Sequence, residues 1–182
     1  EHYAYFLAWT GANINGADAK RVGLVDYLMK NEQKDAMVDA ITSHSWARDA
    51  ATALDKLLIM LTQNNSDFLP SQLAINDQLI SETVSTALAS DNPVGVFLEQ
   101  CQRLRGDKWL DKAAANFKSG TPTTAAIIHE QIQRAKSMTL EQIFAMELTL
   151  AIQCSRHTDF REGIRALLIE KDNSPNWQYE LG

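Results

Sequence analysis

Along most of this sequence apolar residues recur at three- and four-residue spacing, and a single stretch, Leu24 to Met29, reads as a strand. The chain is therefore expected to be helix-dominated. Residues 2–9 and 17–22 read as short helices on either side of a Thr10-Gly11 break, with Gly23 stopping the second. Residues 32–44 and 46–63 follow; in the latter, Ala47, Ala50, Leu54, Leu57, Leu58 and Leu61 predict one buried face. Asn64-Asn65-Ser66-Asp67 predicts a turn leading through Phe68 and Leu69 to Pro70, and residues 71–92 look less regular, with short helices at best. After Asn92-Pro93 the pattern sharpens into helices at 93–104, 107–118, 121–136, 139–156 and 159–171. Their starts carry recognisable chemistry. Pro122 follows Thr121 as a first-turn proline, Thr139-Leu140-Glu141-Gln142 fits a capping box, and Asp159 stands before Phe160-Arg161-Glu162 as an N-cap. Asn173-Ser174-Pro175 ends the last helix, leaving Trp177 and Tyr179 as aromatic anchors for an extended tail.

Composition narrows the function classes. The 182 residues include 45% apolar and 22% charged residues, 8 Gly and 4 Pro, which is a globular balance with room for a core. Seventeen basic residues against 23 acidic ones give a net charge of −6, so no overall positive field favours nucleic acid or an anionic membrane surface. Cys101 and Cys154 stand far apart without CxxC spacing, which suits buried thiols in a reducing compartment. No apolar run approaches the ~20 residues of a membrane span. The sequence opens without Met inside a helical pattern carried by Tyr3, Phe6 and Leu7, so a truncated or processed chain is expected.

Few motifs point to chemistry. His2, His44, His129 and His157 lie on different segments without ligand spacing, and no metal site is expected. The run His129-Glu130-Gln131-Ile132-Gln133 begins like a zinc-protease helix but has Gln133 where a second imidazole must stand. No GxGxxG, GxxxxGK[ST] or GxSxG occurs. Glu147 falls inside a stripe made by Leu140, Ile143, Phe144, Leu148, Ala151 and Cys154. It is either a burial-perturbed general acid or base, or one half of an ion pair with Arg165. Lys171 ends a stripe of Phe160, Ile164, Leu167 and Leu168. There it complements the helix dipole, or offers an ammonium to a phosphate.

Two stretches resemble a known family. Thr10-Gly11-Ala12-Asn13-Ile14, with Ala17-Asp18-Ala19-Lys20-Arg21-Val22-Gly23-Leu24-Val25-Asp26, is similar to a segment of the crotonase (enoyl-CoA hydratase/isomerase) superfamily. Asp159 to Trp177, reading DFREGIRALLIEKDNSPNW, resembles the ending of its 3-hydroxyisobutyryl-CoA hydrolase branch, as do Ser119 to Thr124 and Leu140 to Gln153.

The resemblance implies a mainly α chain: the helical C-terminal region of a ClpP/crotonase-like α/β spiral, with at most one short strand. Residues 1–30 would be the last segment of the spiral core and 31–182 one continuous helical unit. The parent would hydrolyse a short β-hydroxyacyl-CoA thioester in valine breakdown, with CoA thioester as substrate and no cofactor. Its oxyanion amides and catalytic Glu and Asp would lie in an N-terminal core that this sequence lacks, so no catalytic residue is assigned here and the chain alone is expected to be inactive. The chain would cover the acyl-CoA site, meet its own N-terminal core and contribute subunit contacts in a homo-oligomer, in the cytoplasm or, in a eukaryote, the mitochondrial matrix. Lys171 would meet CoA, with Leu167 where the family has an aromatic residue, and Glu147 matches a glutamate outside the catalytic set. The alternatives are an enoyl-CoA hydratase or isomerase, and a non-catalytic helical module binding CoA or a partner. Exposed apolar surface is expected on residues 1–30.

Overall fold

Helix α1 (His2–Thr10) stops where Gly11 turns left-handed at φ +57°, its N–H bonding the Leu7 carbonyl at 2.9 Å. Beginning there, a computed structural model describes residues 1–46, 48–62 and 68–179. Helix α2 (Gly16–Arg21) opens with a capping box: Asp18 N–H donates to Asn15 Oδ1 at 2.9 Å and Asn15 N–H to Asp18 Oδ2 at 3.0 Å. It closes with the paired bonds of a Schellman turn, Leu24 N–H to the Ala19 carbonyl and Gly23 N–H to that of Lys20, with Gly23 at φ +77°. The expected strand at Leu24–Met29 is not formed, and the described residues hold no strand. A strand needs a neighbour to take its backbone hydrogen bonds, and none of the described residues supplies one.

A 3₁₀ turn (Asn31–Gln33) leads into α3 (Lys34–Ser43), followed by α4 (Ala50–Thr62) and the short α5 (Gln72–Ile75). The turn expected at residues 64–67, like Ala47, lies outside the described residues. In α4 only Leu57 is buried, while Ile59 and Met60 are exposed, so the apolar stripe there is only partly used. Residues 71–92 are more regular than their pattern suggests. Helix α6 (Asp77–Leu88) buries Ile80, Thr83, Val84 and Ala87 at 3-1-3 spacing, a face that Thr83 and the surrounding Ser and Thr residues disguise. Helices α7 (Pro93–Gln100), α8 (Lys108–Ser119), α9 (Pro122–Ala135) and α10 (Leu140–Arg156) start within one residue of where the pattern places them. Asn92, Asp107 and Thr139 each accept a first-turn N–H, and Pro122 takes the first position of α9. Helix α7 ends at Gln100, short of the predicted residue 104, and turns carry the chain on to buried Leu104. The last predicted helix divides into α11 (Thr158–Ile164) and a π turn (Arg165–Ile169).

The chain forms two compact units, Ile14–Asp77 and Glu1–Asn13 with Gln78–Gly182, so a boundary at residue 30 falls inside the first of these. In the Ile14–Asp77 unit the fully buried Asp18 carboxylate ties α2 to α5. Its Oδ1 accepts from Ser71 Oγ at 2.6 Å and Leu73 N–H at 2.9 Å. A buried carboxylate persists only when donors replace its hydration, and here three do.

The other unit is built on α1. Tyr5, Phe6 and Trp9 are buried, so the exposed apolar surface expected on residues 1–30 is absent from α1 and present at Leu24 and Val25. Trp9 lies 4.7 Å from Phe97 and 6.2 Å from Phe117 between ring centroids, and Phe97 meets Phe117 edge-on at 4.8 Å. Polar atoms of this cluster are satisfied: Trp9 Nε1–H donates to the Ala125 carbonyl at 3.0 Å and Gln133 Nε2–H to the Tyr5 hydroxyl at 2.8 Å. Each ring of this size withdraws apolar area worth about 1.5–3 kcal/mol, which fixes α7, α8 and α9 around α1.

Candidate functional site

A cavity of about 560 Å³ lies within this second unit, walled by α9, α10, α11, the π turn and the tail, and lined mainly by apolar side chains. That volume is in the range of small-molecule sites. Ile127, Leu150, Ile164 and Leu167 supply much of the wall, with Cys154 on α10 and Trp177 on the tail.

Asp159 organises the polar end. It is 5% exposed and stands one residue inside α11, whose N-cap is His157, so its expected capping role is corrected. His157 Nδ1 accepts from Asp159 N–H at 3.3 Å. This frees the carboxylate to reach across the cavity rim. Its Oδ2 accepts from the hydroxyls of Thr121 (3.0 Å) and Thr123 (3.1 Å) on the first turn of α9, and its Oδ1 from Gln178 N–H at 2.8 Å. Burial pushes the Asp159 carboxyl up, but the Gln178 N–H, the two hydroxyls and the nearby His157 outweigh it and hold it below its ordinary value. With its oxygens occupied, Asp159 is a hub joining three segments and is not poised as a base.

Arg165 makes the second polar centre. Its Nε and one terminal nitrogen grip Glu162 at 2.9 and 2.7 Å, its other terminal nitrogen meets Asp172 at 2.6 Å and Glu170, and it also donates to the Ser174 carbonyl at 3.1 Å. Arg165, with the Asn176 N–H at 2.7 Å, pulls the Glu162 carboxyl down to about 2, and Asp172 is lowered by the same guanidinium. The predicted Glu147–Arg165 ion pair is therefore not formed. Glu147 is exposed on α10, which has no fully buried residue, so the burial behind an acid-base role is missing as well. Lys171 does not end a helix face: it follows the π turn in the left-handed conformation at φ +57°, exposed to solvent.

The remaining predicted positions are scattered. His129 stacks beside Tyr5 and Trp9 with its Nδ1 buried and unbonded, and Glu130 pairs along α9 with Arg134. Among the described residues, no group of three His, Cys, Asp or Glu side chains gathers as metal ligands. Cys101 is buried, and desolvation pushes its thiol up to about 11. No helix among the described residues is long and apolar enough to cross a membrane. Sequence reasoning missed the hubs at Asp18, Asp159 and Arg165. The signal available for the last two was that both lie in the DFREGIRALLIEKDNSPNW stretch, whose polar residues converge on each other.

Comparison with known proteins adds a family. A family model described as enoyl-CoA hydratase/isomerase matches residues 1–181. The chain is 29% identical over 175 residues to the mitochondrial 3-hydroxyisobutyryl-CoA hydrolase of Danio rerio, covering 95% of this chain and 44% of that protein. It is 30% identical over 180 residues to the Homo sapiens protein of the same description, covering 96% and 44%. With 3-hydroxyisobutyryl-CoA hydrolase-like protein 5 of Arabidopsis thaliana it shares 26% over 181 residues, covering 97% and 45%. The chain thus spans less than half the length of these relatives.

Proposed function

Because the chain belongs to the enoyl-CoA hydratase/isomerase family, we propose that it is the helical part of an enzyme that hydrolyses a short β-hydroxyacyl-CoA thioester, as its relatives' descriptions name. The observation that carries this reading is the match of nearly the whole chain to 3-hydroxyisobutyryl-CoA hydrolases of animals and a hydrolase-like protein of a plant, each more than twice the length matched. In this proposal residues 1–30 end the family's core, and the catalytic groups stand on a polypeptide corresponding to the relatives' remaining length. The cavity face, with the exposed Phe160, Leu167 and Leu168, covers the acyl-CoA site or a neighbouring subunit. Lys171, projected by its left-handed backbone, meets a CoA phosphate as a point charge. No cofactor besides the CoA substrate enters the scheme, and the mitochondrial matrix is the compartment its animal relatives suggest.

Thiol release from 3-hydroxyisobutyryl-CoA tests the reading. The chain is assayed alone, and again as a replacement for the matching segment of the Homo sapiens relative. The expected result is no release by the chain alone and turnover by the chimera. Lys171→Glu in the chimera should raise KM about tenfold with kcat unchanged, the pattern of a lost ground-state contact. A folded chimera that releases no thiol would overturn the reading, and one that hydrates crotonyl-CoA instead would reassign it to the hydratases.

A further inference from the structure

We propose that residues 170–179 are a latch: they close one wall of the cavity and leave it as a unit while the helices stay folded. This goes beyond the thioester reading and is tested without turnover.

The segment has no secondary structure of its own; beyond the hinge, where Glu170 and Asn173 bond backbone to backbone with the π turn, its hydrogen bonds to the helical body all involve a side chain. Glu162 Oε1 accepts from Asn176 N–H at 2.7 Å and Asp159 Oδ1 from Gln178 N–H at 2.8 Å. Arg165 holds Asp172, Glu170 and the Ser174 carbonyl, and Trp177 Nε1–H donates to the Ser119 carbonyl at 3.0 Å. Two of these carboxylates thus act as clasps for backbone N–H groups in the tail.

Apolar burial does little to hold it. Pro175 and Trp177 are half-buried and form part of the cavity wall, whereas Lys171, Asp172, Asn173, Ser174, Asn176 and Gln178 are exposed. A segment with few buried apolar groups and solvent-facing hydrogen bonds opens at low free energy relative to a helical core. The Trp177 seat is shaped by Gly163, where an added Cβ would come within 3.3 Å of the indole.

The segment also carries its own hinge. Lys171 and Asn173 are the described non-glycine residues with positive φ, at +57° and +52°, and they flank Asp172. Asparagine occupies the left-handed region readily, whereas lysine pays a steric cost there, so release of the clasps lets Lys171 relax and swings the tail outward. Immediately before them the π turn sets Ala166 inward, where its carbonyl receives Asn173 N–H at 3.1 Å, which places the pivot against the cavity wall.

The test uses the whole chain with two readouts. Amide hydrogen exchange reports the tail, and N-ethylmaleimide reports the cavity through Cys154, with buried Cys101 as the internal control. In the unaltered chain the Asn176 and Gln178 amides are expected to exchange at least tenfold faster than the central amides of α8. Glu162→Gln should speed them about tenfold again and raise the Cys154 rate, leaving Cys101 unreactive. Trp177→Ala, which spares both carboxylates, should raise the Cys154 rate as well. Tail amides that exchange no faster than those of α8 would overturn the proposal. So would an unchanged Cys154 rate in both variants, or Cys154 and Cys101 becoming reactive together, which is the signature of whole-unit unfolding.

Discussion

Asp159 offers the sharpest test of how the cavity end is held, because alanine and asparagine remove different things. Three donors converge on its oxygens: the hydroxyls of Thr121 and Thr123 and the Gln178 N–H. A buried donor left without an acceptor costs about 1–3 kcal/mol. The hydroxyls can rotate toward water or a carbonyl, but the Gln178 N–H is fixed, so Asp159→Ala is expected to cost about 2–4 kcal/mol. Asparagine keeps the shape. Its carbonyl can face Gln178 N–H while its NH₂ donates to the two hydroxyls, which turn from donors to acceptors, and the cost falls to about 1 kcal/mol. Urea unfolding of the three proteins at neutral pH measures the difference, and the slope confirms that the same surface is exposed in each. Acid adds a second arm. The carboxyl is lowered in the folded chain, so its contribution is complete above the ordinary carboxylate value of about 3.9 and fades as pH falls through the lower folded value. The gap between the unaltered chain and Asp159→Asn should therefore close in that acid window. Equal losses for alanine and asparagine, or a gap that widens in acid, would refute the hydrogen-bond account.

Three further outcomes are expected. Trp9→Phe keeps most of the ring volume and removes the indole bond to the Ala125 carbonyl, which keeps its partner within α9, and should cost about 0.5–1.5 kcal/mol, against about 3–5 kcal/mol for Trp9→Ala, in urea titrations. At pH 8 one thiol per folded chain should react with Ellman's reagent and two in denaturant, since Cys101 is buried with its thiol pushed up to about 11 while Cys154 borders the cavity. An apolar dye such as ANS should bind the folded chain on α10, and Phe144→Glu with Leu148→Glu should remove most of its fluorescence; undiminished fluorescence would place the exposed surface elsewhere.

The parts of the fold written in short-range chemistry were legible. The cap at Thr139, the first-turn Pro122 and the stops at Gly11 and Gly23 are decided by a few neighbouring residues, and the structure has them where the sequence puts them. What escaped is set by partners distant in sequence. Helix α6 hides its buried face behind Thr83, whose hydroxyl is satisfied by the Leu79 carbonyl at 2.6 Å, so a polar residue occupies a core position without penalty. Asp159 reads as an N-cap because it precedes a helical run, but its donors lie 36 and 38 residues upstream and 19 downstream. Arg165 takes partners close in sequence instead of Glu147: Glu162 stands one helical turn before it, and the chain after the π turn brings Glu170 and Asp172 to the same guanidinium.

The stripe on α10 shows where periodicity stops being informative. Leu140, Phe144 and Leu148 do recur at helical spacing, and the inference that they share a face is correct. Burial does not follow, since all three are more than 60% exposed, and Phe160, Leu167, Leu168 and Ile169 continue the exposure across α11 and the π turn. Apolar spacing records which side chains share a face, and by itself does not say whether that face is covered. Within Glu1–Asn13 and Gln78–Gly182 the distinction is visible: α1, with Tyr5, Phe6 and Trp9, finds its cover in α7, α8 and α9, whereas α10 keeps its apolar side outward. A carboxylate inside such a stripe is then exposed along with it. This is why Glu147, singled out by position for acid-base chemistry or pairing, is exposed, while Asp159, which organises the cavity end, sits at a helix start where a backbone N–H and two hydroxyls reach it.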